Sequence, residues 1–360
     1  MKATQQLHNL GQSIWLDNIT RQLLSSGTLS QYIQELSVTG LTSNPSIFDN
    51  AISKSSDYDE AIQKKVKEGK SGEGLFFELA IEDLRQAADL FLSIYHETNG
   101  VDGFVSLEVS PELANNTEKT VAAAKDLHKL ADRPNLFIKI PGTPEGLPAI
   151  EESIFSGIPV NVTLLFSRKQ YEAAAEAYLR GIERRIEAGL NPDVASVGSV
   201  FISRWDVKIK DTSHKELVNK LGIAVGNDIY LAYQTFLASP RVQRVLNCGG
   251  RFQRLLWAST GVKDPAASDT LYVEKLAAPL TVNTMPEPTL KAVADHGSIG
   301  KPMEVDAKSS AAELDTFQVA GFDLSDIAYQ LQVEGAASFV KSWNELLKAI
   351  DEKSKVLVGA

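Results

Sequence analysis

The sequence is nearly devoid of cysteine: Cys248 is the only one in 360 residues. An intrachain disulfide, a thiolate zinc site and an iron–sulfur cluster held by one chain are thereby excluded. Histidine is scarce too. The five present (His8, His96, His128, His214 and His296) show no close metal-ligand spacing, so no metal and no other cofactor is expected. An excess of positive charge is missing. The 36 Lys and Arg against 46 Asp and Glu leave a formal charge of −10. This argues against a nucleic-acid partner but leaves room for a local basic pocket. No apolar run is long enough to span a membrane. The opening "MKATQQLHNLGQ" lacks the apolar core of a signal peptide. A cytoplasmic protein, monomer or homodimer, with no membrane partner is the expectation. A glycine-rich phosphate loop is also lacking. "GKSGEG" (69–74) ends like one, but Lys64 stands where the first glycine of the Walker pattern belongs.

What is present is a regular alternation. Hydrophobic residues make up 43%, enough for a large core. Eight short apolar runs read as strands: 13–19, 38–45, 103–111, 135–142, 160–167, 196–204, 254–261 and 279–286. Amphipathic stretches lie between them. "LFFELAIEDLRQAADLFLSIYHET" (75–98), "RKQYEAAAEAYLRGIERRIEAG" (168–189) and "GNDIYLAYQTFLASPRVQRVL" (226–246) read as helices, and 206–222 as a helical excursion. The pattern predicts an α/β fold, a single eight-stranded parallel (β/α)8 TIM barrel occupying 1–360 as one domain. Residues 301–360 are expected to form a helical C-terminal extension, with Phe339, Trp343, Leu346, Leu347 and Ile350 as its apolar stripe, packed on the barrel or closing over its mouth. A doubly wound open sheet is the rival, but its glycine-rich first turn is absent.

Polar residues recur late in these runs, where a barrel places its active site. Asp17 ends the first run. Side chains two apart on a strand share a face. Thr42 and Asn44 do so on the second run, Ser106 and Glu108 on the third, Asn161 and Thr163 on the fifth, Ser199 and Phe201 on the sixth. Lys139 shares a face with Phe137 on the fourth. Each has an ordinary reading. Lys139 can be read as a lysine that snorkels to solvent. Asp17 and Asn18 can cap a helix, and Thr42 to Pro45 can form a turn. Together they suggest convergence on one pocket. A lysine in a dry pocket is disfavoured in its charged form, and a neutral amine can attack a ketone to form a Schiff base. Acid–base work would then fall to Asp17 and Glu108.

"GLTSNPSIF" (40–48) and "LFIKIPGTPEGLPAI" (136–150), followed in order by "VNVTLLFS" and "SVFISR" and preceded by "VSLEV", resemble the motifs of the transaldolase family over roughly 13–290. The length and helical tail resemble its longer bacterial form. The resemblance implies transfer of a dihydroxyacetone unit from sedoheptulose 7-phosphate to glyceraldehyde 3-phosphate, in the non-oxidative pentose phosphate pathway. It puts Lys139 at the Schiff base, Asp17 as proton carrier at the C4 hydroxyl, and Glu108 with Thr163 on a water. Thr42, Asn44 and Asn161 would bind the three-carbon unit, Ser199 and Arg204 the phosphate, and Phe201 would line the pocket. One departure is visible. The family's second phosphate arginine is absent from "WASTGVKDP", where Gly261 falls near its place. Lys263 is the candidate replacement, or else an ordinary loop lysine. The alternatives are a fructose 6-phosphate aldolase-like lyase, in which tyrosine tends to replace the residue at Phe201, a non-catalytic phosphosugar-binding barrel, and a metal-free isomerase.

Overall fold

The computed structural model describes residues 1–359. Eight parallel strands form the sheet: β1 Ser13–Asp17, β2 Val38–Thr42, β3 Val105–Glu108, β4 Leu136–Pro141, β5 Val160–Leu165, β6 Ser196–Phe201, β7 Arg254–Ala258 and β8 Thr281–Met285. All eight expected runs contain one of these strands. Their order is β2-β1-β8-β7-β6-β5-β4-β3. The remaining seam, between β2 and β3, is bridged by two backbone bonds. Gly103 N–H donates to the Thr39 carbonyl and Leu41 N–H to the Phe104 carbonyl, both at 3.0 Å. The sheet is thus a nearly closed barrel wrapped in helices. Every residue of β4, β5 and β6 is buried, as parallel strands covered on both faces require.

Gly40 makes the seam possible. A Cβ at this position would lie 2.6 Å from the Phe104 carbonyl oxygen and 2.7 Å from Trp15 Nε1. Only a residue without a side chain lets β2 approach β3 this closely.

The expected helices at 75–98 and 168–189 are Gly72–Glu97 and Arg168–Glu187. The stretch 226–246 is not one helix. It divides into Leu221–Ala238 and Pro240–Asn247, because Pro240 has no N–H to continue the first and suits the first turn of the second. Nor is 206–222 a helical excursion. Helix Ser203–Lys208 and a 3-10 turn at Lys215–Leu217 are joined by loop. Its two ends are tied by one buried carboxylate. Asp206 accepts from the N–H groups of Leu221 (2.9 Å) and Gly222 (3.1 Å) and from the Tyr272 hydroxyl (2.8 Å).

The tail ends in a single 36-residue helix, Leu324–Gly359. Phe339, Trp343, Leu346 and Ile350 are buried, and Leu347 is partly so. Trp343 meets Phe76 edge-on at 5.0 Å and Phe77 at 5.6 Å. The helix lies against Pro45–Lys54, the helix that follows β2, and reaches β5. Among the described residues no helix is long and apolar enough to cross a membrane.

Gly40→Ala is expected to destabilise the fold by about 1–3 kcal/mol, the usual cost of overpacking. Chemical denaturation measures it, and an unchanged midpoint would show that the seam tolerates a methyl group.

Candidate active site

Lys139 does not snorkel to solvent. It is 6% exposed. Its Nζ donates to the Ser43 carbonyl at 2.9 Å and to Glu108 Oε2 at 3.1 Å. Pairing of β3 with β4 sets Glu108 beside Lys139, and pairing of β4 with β5 sets Asn161 on the other side. Register alone therefore brings acid, amine and amide into one row. Glu108 Oε1 and Thr163 Oγ1 are buried without a hydrogen-bond partner. Two such orphaned polar atoms near an amine suit a bound water or a substrate hydroxyl.

Asp17 ends β1 and faces the same cavity. Its Oδ1 accepts from the Thr42 hydroxyl at 2.8 Å, and Thr42 Oγ1 lies 2.7 Å from Thr284 Oγ1. Burial raises Asp17 above the ordinary carboxylate range, against the pull of Lys139, Thr42 and Lys263. Burial raises Glu108 as well, against Lys139, and Asp17 adds to the rise. The barrel interior thus holds two acids that bind protons more readily than they do in water, beside one amine. That set of groups can pass protons to and from a bound substrate.

Asn44 caps the helix that follows β2, where the sequence pattern suggests only a turn. Its Oδ1 accepts from Ile47 N–H (3.1 Å) and from the Ser46 hydroxyl (2.6 Å), capping helix Pro45–Lys54. The amide still lines the cavity. Asn161 donates to Ser106 Oγ at 3.1 Å and accepts from Ser199 Oγ at 2.6 Å. Ser199, expected at a phosphate, therefore spends its proton on orienting Asn161.

Phe201 and Arg204 lie at the far wall. The Arg204 guanidinium sits 5.1 Å from the Phe201 ring centroid and 5.9 Å from that of Phe339. Burial lowers its affinity for the proton, opposed by Glu334. Yet Glu334 pairs with Lys208 at 2.5 Å instead. Lys263 lies at the cavity rim with Gly261. The expected residues line the cavity except for three: Glu108 touches it through Lys139, Ser106 lies behind Asn161, and Phe137 instead stacks on Phe104 at 4.1 Å, away from the cavity.

Several residues of the site escaped sequence reasoning. Ser43 contributes a backbone carbonyl, which no side-chain pattern signals. Ser259 and Thr284 follow from the ends of β7 and β8, where the same reasoning applied to the other strands would have found them. Ser338, Phe339 and Ser342 come from the C-terminal helix. Among the described residues no group of three or more His, Cys, Asp or Glu is placed to hold a metal ion.

Residues 14–350 match the model of a family described as transaldolase/fructose-6-phosphate aldolase. The chain belongs to this family. Among its relatives, the transaldolase of Saccharopolyspora erythraea is 46% identical over 354 residues, 96% of each chain. The transaldolase of Thermobifida fusca is 45% identical over 358 residues, 97% of each chain. That of Mycolicibacterium smegmatis is 45% identical over 348 residues, 94% of each chain. The family description covers two reactions, a transfer and a cleavage, and the three relatives are named for the transfer.

The raised carboxyl of Asp17 has a consequence for stability. A group raised in the folded state binds its proton more tightly there than in the unfolded chain. Its ionised form therefore costs stability as the pH climbs past the unfolded value, about 3.9 for Asp, and the cost is complete above the folded value. Asp17→Asn removes the titration and keeps an acceptor for Thr42. It is expected to melt at or above the parent temperature at neutral pH, with the gap closing toward about pH 4. A lower melting temperature at neutral pH would contradict this.

Proposed function

We propose that this chain catalyses the transaldolase reaction. Sedoheptulose 7-phosphate and glyceraldehyde 3-phosphate would give erythrose 4-phosphate and fructose 6-phosphate. The observation that carries the reading is the buried Lys139 amine, held between Glu108 and the Ser43 carbonyl with Asp17 on the same cavity.

Lys139 Nζ attacks the C2 carbonyl of the donor once its proton has passed to a neighbouring base, and Glu108 at 3.1 Å is placed to receive it. A carbinolamine forms. Glu108, through a water shared with Thr163, protonates the departing hydroxyl, and an iminium remains. Asp17 takes the proton from the C4 hydroxyl. The C3–C4 bond breaks, its electron pair moves to C3 and the iminium nitrogen, and erythrose 4-phosphate leaves. The enamine then attacks the aldehyde carbon of glyceraldehyde 3-phosphate. Asp17 returns its proton to the new alkoxide, and water hydrolyses the Schiff base to release fructose 6-phosphate. Asn44 and Asn161 hold the hydroxyls of the three-carbon unit, with Thr42 orienting Asp17 and Ser199 orienting Asn161.

The phosphate end belongs to Arg204 and Lys263. Arg204 suits it because its planar fork matches phosphate oxygens. The aromatic wall of Phe201 and Phe339 would keep water from the enamine until the acceptor arrives. That wall favours transfer over simple release of dihydroxyacetone, the lyase alternative. The near full-length likeness to proteins named transaldolase supports the same choice.

The test is an assay with fructose 6-phosphate as donor, with and without erythrose 4-phosphate. Transfer predicts that turnover depends on the acceptor, with little free dihydroxyacetone in its absence. Equal turnover without acceptor would make the protein a lyase. In the same assay Lys263→Ala is expected to raise the donor KM about tenfold, or ~1.4 kcal/mol, the scale of one charge-assisted hydrogen bond. An unchanged KM would leave Lys263 as surface.

A further inference from the structure

The C-terminal helix Leu324–Gly359 changes character where it crosses the cavity. Leu331, Leu346 and Ile350 are buried apolar residues of one helix face. Between them on that face lie Gly335, Ser338, Phe339 and Ser342, spaced i, i+3, i+4, i+7. Ser338, Phe339 and Ser342 line the cavity. Gly335 stands against the phosphate-binding candidate instead. A Cβ there would lie 3.1 Å from Arg204 Nη1 and 3.0 Å from Leu164 Cδ2. Glycine is a poor residue for the interior of a helix, so its presence in this one calls for a local reason. The space it leaves to the guanidinium is that reason.

The same stretch is pinned to the barrel. Gln332 Nε2 donates to the carbonyls of Gly142 and Leu164, both at 3.0 Å. Glu334 pairs with Lys208, on the short helix that also carries Arg204. The position of Gly335 relative to Arg204 is therefore set from both sides. Phe339, one turn on, meets the guanidinium at 5.9 Å and the Phe201 ring at 6.5 Å. Arg204 sits in the corner of two rings, whose faces attract the guanidinium.

We propose that Gly335 and Phe339 are specificity-determining positioning residues, through which the C-terminal helix holds Arg204 ready for a phosphate and so sets the preference for phosphorylated over unphosphorylated sugars. The inference rests on the transfer reading above, which places the phosphate at Arg204. Gly335 acts by leaving room and Phe339 by giving the guanidinium a surface. Gly335 is not part of the cavity lining, while the Phe339 ring also faces the Lys139 amine at 5.8 Å.

Gly335→Ala is the sharp test, because alanine is the better helix former and the atoms it meets are the free ends of flexible side chains. The ratio of kcat/KM for fructose 6-phosphate to that for fructose is expected to fall about tenfold, through KM rather than kcat. The dissociation constant of inorganic phosphate, measured by calorimetry on the full chain, is expected to rise by a similar factor. Phe339→Leu is read on the same two quantities and should shift them in the same direction, so the inference stays testable if the alanine variant does not fold. An unchanged ratio and phosphate affinity, or equal losses on both sugars, would overturn it. Calorimetry needs no turnover. If the parent protein transfers no three-carbon unit, the functional reading fails by itself, and phosphate binding still decides the role of Gly335 and Phe339.

Discussion

One contact organises this molecule: the ammonium of Lys139 lies 3.1 Å from the Glu108 carboxylate and 2.9 Å from the Ser43 carbonyl, buried inside the barrel. Taking both charges out of water is costly, and hydrophobic residues of the same volume would often be no less stable. Such a pair is weak evidence for stability and better evidence for chemistry. Asp17 deepens the point. Burial raises its proton affinity even though a lysine ammonium shares its cavity. The fold holds Asp17 and Glu108 in an environment that disfavours their charges, and the reaction proposed here needs proton movement through both.

The surrounding structure reads as the means of holding that arrangement. β3, β4 and β5 place Glu108, Lys139 and Asn161 in adjacent register. Ser199 on β6 fixes the Asn161 amide, while Thr42 on β2 fixes Asp17 on β1. Asn161 and Asp17 thus each have a second group behind them that removes a rotational choice. Closure between β2 and β3, allowed by Gly40, brings the Ser43 carbonyl within reach of Lys139.

Much of this was legible in the sequence, for a definite reason. Strand side chains alternate, so polar groups at Glu108, Lys139, Asn161 and Thr163 had to share faces, and a parallel barrel brings those faces together. Partners across strands were not legible. Whether Ser199 meets a phosphate or Asn161 depends on how β6 lies beside β5, and no local pattern states that. The carbonyl of Ser43 and the residues Ser338, Phe339 and Ser342 were hidden for a related reason. Backbone groups carry no sequence signal, and a helix more than a hundred residues downstream is aligned with the site only by tertiary contacts such as Gln332 with Gly142 and Leu164. The breaks at Ser239-Pro240 and after Lys208 run the other way: apolar periodicity continues across a proline that ends a helix, and a stretch that reads as helical is tied down as a loop by Asp206.

The central claim is that the buried amine of Lys139 is the nucleophile. The most direct measurement is borohydride reduction in the presence of fructose 6-phosphate, followed by peptide mass mapping. A stable three-carbon or six-carbon sugar adduct on the peptide bearing Lys139, lost in Lys139→Met, is the predicted result. No adduct, or an adduct on another lysine, would contradict the account.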